Sequence, residues 1–159
     1  MSARPRLLFV CAGNTGRSLC AETLTRLHLH ERGLEAEVFS RGLAVNPSHR
    51  RAEGPLQALW AERGIDVSDH LAQGLDRGDV EAADLILCAT RAQSDEIRAR
   101  HPTARFKTFA LAEYAGVGGD LEDAFGKPTI AYRAMLTQLE RQVPLTVQRV
   151  FAEFQLRPR

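Results

Sequence analysis

Long hydrophobic runs, an excess of charge of either sign, and clustered metal-ligating side chains are all missing from this 159-residue chain. No stretch approaches the roughly 20 apolar residues that a membrane-spanning helix needs, so no membrane partner is expected. After a basic start, the first apolar segment, Leu7 to Cys11, is interrupted by Gly13 and Asn14 and is too short for a signal-peptide core, which implies a cytoplasmic protein. The 21 basic residues are scattered among 20 acidic ones, for a net charge of +1, and no basic face of the kind that holds nucleic acid is formed. His28, His30, His49, His70 and His101 lack the i, i+4 spacing and the cysteine partners of a zinc site, so no metal is expected. Cysteine is sparse and odd in number, which points away from a disulfide framework and towards reactive or buried thiols in a reducing compartment.

What remains is 44% hydrophobic, enough for one well-buried core and short for two, so residues 1–159 are read as a single domain. Leu7-Leu8-Phe9-Val10 reads as a buried strand, followed by a Gly/Asn/Thr/Gly loop and then by apolar residues at helical spacing from Leu19 to Leu29. A second strand over 36–40 completes a βαβ unit. Helices are predicted over 55–63, with Trp60 facing the core, and over 91–100, with strands over 83–88 and 106–111. Residues 116–127 read as an irregular loop, and 130–154 as a long helix that Pro144 kinks or divides. The alternation implies an α/β fold, a doubly wound parallel sheet with helices on both faces and its active cleft at the strand C-terminal ends.

The chemistry is concentrated in Cys11-Ala12-Gly13-Asn14-Thr15-Gly16-Arg17-Ser18, a strand-loop-helix phosphate-binding loop. Inward backbone amides of such a loop and the positive end of the following helix bind an oxyanion, and Gly13 and Gly16 ease the required turns. The same field favours a sulfur anion, the form of cysteine that attacks, so Cys11 is the candidate nucleophile. Arg17 offers a planar fork for two phosphate oxygens. Ser18 is placed to hydrogen-bond the sulfur and Asn14 to brace the loop. The expected reaction is phosphoryl transfer to Cys11 and hydrolysis of the cysteinyl-phosphate, with no metal or other cofactor.

These residues resemble the low molecular weight protein tyrosine phosphatase family, which opens with an apolar strand, Cys-x-Gly-Asn-x-x-Arg-Ser and a helix. Ala21-Glu22, Ser40, Gly42, Gly64-Ile65-Asp66-Val67-Ser68 with His70, and Ala83-Asp84-Leu85-Ile86-Leu87 continue the likeness in family order. The resemblance implies that Asp123, in Asp120-Leu121-Glu122-Asp123-Ala124-Phe125-Gly126, is the general acid, with Asp120 the competing candidate. Ala124 stands where the family has proline, Gly16 where many members have a second cysteine, and Leu19-Cys20 where Pro-Met is usual. Thr15 is similar to the protein arginine phosphatase branch rather than to tyrosine-specific members, which carry an apolar residue there. The implied partner is a phosphorylated protein, bearing phosphoarginine or phosphotyrosine. Two alternatives stay open: a phosphate-binding module with impaired catalysis, and an arsenate reductase drawing on Cys20 or Cys88. The number of copies in the functional unit stays open as well.

Overall fold

The structure, a computed structural model, describes residues 4–158. Four parallel strands form one sheet: β1 (Arg6–Cys11), β2 (Glu37–Gly42), β3 (Leu85–Cys88) and β4 (Thr108–Ala110), in the order β2-β1-β3-β4. Between and after them run α1 (Arg17–Glu31), α2 (Gly54–Glu62), α3 (Arg77–Ala82), α4 (Arg91–Arg100), α5 (Leu111–Ala115) and α6 (Thr129–Phe154). The doubly wound expectation holds. Strand order reverses direction at β1, and the crevice beyond the C-terminal ends of β1 and β3 is where such sheets take ligands.

The central strands β1 and β3 are buried on both faces, and their two-residue period sorts side chains between two cores. Leu7, Phe9, Cys11, Leu85 and Leu87 join the larger core with Leu24, Leu56, Trp60, Leu111 and the inner face of α6. Leu8, Val10, Ile86 and Cys88 join a smaller core with Val80 of α3 and Ile97 of α4. This parity has a functional consequence. Val10 is the register partner of Cys88, so the two strand ends are adjacent, yet Cys11 and Cys88 belong to opposite faces of the sheet.

Three sequence expectations need correction. Of the two effects expected of Pro144, a kink or a division, the division does not occur, and the last helix runs over 26 residues with Pro144 inside it. A proline inside a helix loses one hydrogen bond and crowds the preceding turn, about 3 kcal/mol relative to alanine. Buried Leu139 and Val143 before it and Val147 and Val150 after it pack into one core, each worth about 1.5–3 kcal/mol. Packing therefore outweighs the defect. The expected strand over 106–111 shrinks to three residues because Pro102–Lys107 forms a 3₁₀ helix and leaves Phe106 exposed to solvent. Two short helices were not anticipated: α5 is too short to show a period, while α3 carries a reciprocal cap between Asp76 and Asp79.

Burial also decides the fate of the second thiol. Cys20 has no exposed surface and accepts a hydrogen bond from the indole N–H of Trp60 at 3.4 Å. Desolvation pushes its pKa up to about 12, against 9.0 for a free thiol. A raised folded-state value means that Cys20 contributes full stability below about pH 9 and loses it as pH rises towards 12. Thermal unfolding of wild type is therefore expected to weaken more steeply over that alkaline window than that of Cys20→Ala. In a separate test, Pro144→Ala is expected to raise the unfolding free energy by up to about 3 kcal/mol, read by chemical denaturation.

Candidate active site

The segment between β1 and α1 is shaped by where its carbonyls go. Those of Cys11 and Ala12 accept from the N–H groups of Leu43 and Ala44, each at 2.9 Å, and that of Thr15 from the N–H of Glu53 at 3.1 Å. The Asn14 carbonyl accepts from His70 Nε2 at 2.7 Å, which makes Nε2 the protonated ring nitrogen. Because a peptide unit is planar and trans, turning carbonyls outward turns the N–H groups inward, towards an anion site. Helix α1 adds the positive end of its dipole at Arg17. Gly42 permits this packing: a Cβ there would stand 2.7 Å from the Ala12 carbonyl oxygen.

Asn14 organises the loop from within. It is fully buried at φ 58°, a left-handed conformation that asparagine tolerates better than most residues. Its Oδ1 accepts from the Gln73 N–H at 3.0 Å, and its Nδ2 donates to Ser18 Oγ at 2.8 Å and Ser40 Oγ at 2.9 Å. Ser40 in turn donates to Glu22 Oε1 at 2.5 Å. Ser18 Oγ, already accepting from Asn14, has its own proton free for Cys11 Sγ at 3.0 Å. The Asn14 N–H also points at that sulfur, at 3.3 Å. The sulfur thus has two donors aimed at it. His70 thus braces this loop, and Asn14 holds it through both its side chain and its backbone.

A cleft of about 250 Å³ opens above the loop, lined by Cys11, Ala12, Gly13, Thr15, Gly16, Arg17, Glu53, Asp123 and Phe125 among others. It brings together every predicted site residue except Asn14 and Ser18, which stand behind the loop as supports. Arg17 has a side chain only 10% exposed, and its guanidinium lies 3.7 Å from the exposed Asp123 carboxylate. Asp123 Oδ1 accepts from the N–H of Phe125, turning the chain beside it. Asp120 is employed elsewhere: Oδ1 accepts from the N–H of Arg91 at the first turn of α4. The missing proline at 124 does not leave the loop unanchored. Leu121 and Ala124 are buried in the larger core, the Leu121 N–H donates to the Ala89 carbonyl, and Gln138 holds both Glu122 and Asp120.

Of the aromatics near the Asp123 loop, exposed Phe125 walls the cleft, whereas Tyr114 is buried in the core with its hydroxyl on Glu153. Cys88 is fully buried on the far face of the sheet and desolvation raises its pKa well above that of a free thiol, so neither it nor Cys20 is presented to the cleft. Sequence reasoning missed Glu53. Its Oε2 accepts from the Thr15 hydroxyl at 3.0 Å and its Oε1 from Tyr132 at 2.6 Å. Gly16 was the available signal, since a Cβ there would lie 2.5 Å from Glu53 Oε2.

Comparison with known proteins agrees with this architecture. The family model described as "Low molecular weight phosphotyrosine protein phosphatase" matches residues 6–156. The chain is 34% identical over 146 residues to the probable low molecular weight protein-tyrosine-phosphatase EpsP of Ralstonia solanacearum, covering 92% of this chain and 96% of that protein. It is 33% identical over 135 residues to the protein-arginine-phosphatase of Bacillus subtilis, covering 84% and 89%. Among solved structures, a cysteine-to-serine mutant of the YwlE arginine phosphatase with a phosphorylated active-site serine superposes with a TM-score of 0.86 at 29% identity, over 93% of this chain and 97% of that one. On this footing the chain belongs to the low molecular weight phosphotyrosine protein phosphatase family.

Proposed function

We propose that the chain hydrolyses phosphorylated protein side chains by two displacements at phosphorus through a cysteinyl-phosphate at Cys11. The observation that carries this reading is the meeting of Cys11, Arg17 and Asp123 in one cleft above an amide-lined loop. In the first step Sγ bonds to phosphorus, and the bond to the leaving nitrogen or oxygen breaks. Its electron pair stays on that atom, which takes a proton from Asp123. In the second step water attacks phosphorus, the Asp123 carboxylate accepts its proton, and the P–S electron pair returns to sulfur. Arg17 and the amides of 12–17 hold the oxygens through both steps, and Ser18 donates to sulfur as it leaves.

For the substrate, Thr15 favours phosphoarginine over phosphotyrosine. Its hydroxyl proton is committed to Glu53, so the oxygen facing the cleft is an acceptor, suited to a water or to a guanidine N–H. Relatives of near-equal identity are named for both substrates, so the preference rests on Thr15. All three cysteines are free thiols, in keeping with a cytoplasmic setting.

Cys11→Ser is expected to abolish turnover, and Asp123→Asn to lower kcat about 10²- to 10⁴-fold. Steady-state hydrolysis of matched phosphoarginine and phosphotyrosine peptides checks both variants. It also measures the preference, expected to favour phosphoarginine in kcat/KM. Undiminished activity in the serine variant would remove Cys11 from the mechanism.

A further inference from the structure

Glu53 is a carboxylate set against an anion-binding loop. Only two neutral hydroxyls hold it, those of Thr15 and Tyr132, and among the described residues no cationic side chain forms an ion pair with it. Its backbone N–H is tied to the Thr15 carbonyl, and the absent side chain at Gly16 makes the room it occupies. Tyr132 is a buried and reliable donor, because desolvation and its bond to Glu53 keep the phenol protonated. The carboxylate lines the cleft over Cys11, where Arg17 is the guanidinium among the lining residues, and also an adjoining groove of about 570 Å³ that Arg50, Arg51 and Lys127 share with it. Beside a bound phosphate dianion this is an unfavourable position, unless the ligand itself brings positive charge to that wall.

The two candidate leaving groups differ in that respect. When the P–N bond of phosphoarginine breaks and the nitrogen takes a proton from Asp123, the departing arginine is a guanidinium carrying a full positive charge. When the P–O bond of phosphotyrosine breaks, negative charge grows on the phenolic oxygen until it is protonated. A fixed carboxylate on the cleft wall therefore stabilises the first transition state and opposes the second. Each Glu53 oxygen accepts one hydroxyl and has a further lone pair for a guanidinium N–H.

We infer that Glu53, clasped by Thr15 and Tyr132, is a specificity-determining residue that selects a guanidinium-bearing phosphorylated side chain over an aryl phosphate. This rests on the phosphatase reading above, and its test separates the two. Glu53→Gln keeps the shape and removes the charge. Its kcat/KM for a phosphoarginine peptide is expected to fall about 10- to 100-fold, while that for a phosphotyrosine peptide holds or rises. A parallel fall in both, or an unchanged ratio, would overturn the inference and leave Glu53 a structural group. Thermal unfolding accompanies the assay. If Glu53→Gln fails to fold, Tyr132→Phe, which removes one of the two clasps, decides by the same ratio, with a smaller shift in the same direction expected. Calorimetric binding of both peptides to Cys11→Ser, with and without Glu53→Gln, gives a readout free of turnover. Selective loss of phosphoarginine binding there sustains the inference if Cys11-dependent hydrolysis is absent, and equal binding changes then refute it; where hydrolysis is seen, the kcat/KM ratio decides, because the guanidinium charge develops in the transition state.

Discussion

The left-handed turn at Asn14 is the constraint on which the rest of the site depends. A non-glycine residue at positive φ is held there only when its surroundings over-determine it, and here they do. One side chain joins the Gln73 backbone, Ser18 and Ser40, while its own carbonyl is taken by His70. Each bond fixes a different direction of the peptide chain, and together they keep the loop carbonyls outward and the amides inward. The same side chain fixes the direction of the Ser18 hydroxyl, because an oxygen that accepts from Asn14 turns its proton to Cys11. Loop shape and sulfur chemistry are consequently one hydrogen-bond network, continuous from Glu22 to Cys11.

The sheet supplies the second ordering principle. Parallel strands buried on both faces assign alternate residues to separate cores, and this places the three thiols in different environments. Cys11 ends β1 and emerges at the cleft, Cys20 lies under Trp60, and Cys88 faces the opposite layer. Two of the three are desolvated enough to remain protonated. The contrast arises from strand parity and helix burial rather than from any difference in the residues themselves.

Charge in the cleft is arranged asymmetrically. Arg17 provides the one guanidinium that lines the cleft together with Cys11, while Asp123 and Glu53 contribute two carboxylates with different supports. Asp123 is exposed, lies close to Arg17 and sits on a loop anchored by Leu121 and Ala124. Glu53 is partly buried and held in place by the hydroxyls of Thr15 and Tyr132. The cleft thus sets Arg17 beside the loop and the Glu53 carboxylate on one wall.

The sequence alone determined the elements whose signals are local. The apolar runs of β1 and β3, the spacing of α1, and the loop from Cys11 to Ser18 were legible because strand burial, helical period and loop chemistry each act within about a dozen residues. Asp123 was legible through family resemblance, and its arrival beside Arg17 followed from the fold. What only the tertiary structure decided involves partners far apart in the chain. The Thr15–Glu53 contact spans 38 residues and the Glu53–Tyr132 contact 79, and nothing near Glu53 in sequence marks it as a cleft residue. Likewise Pro144 is a helix breaker by local propensity, and α6 passes through it because aliphatic burial on both sides exceeds the loss of one hydrogen bond. Local propensity is written residue by residue, whereas burial and electrostatic neighbours exist only once the chain has closed on itself.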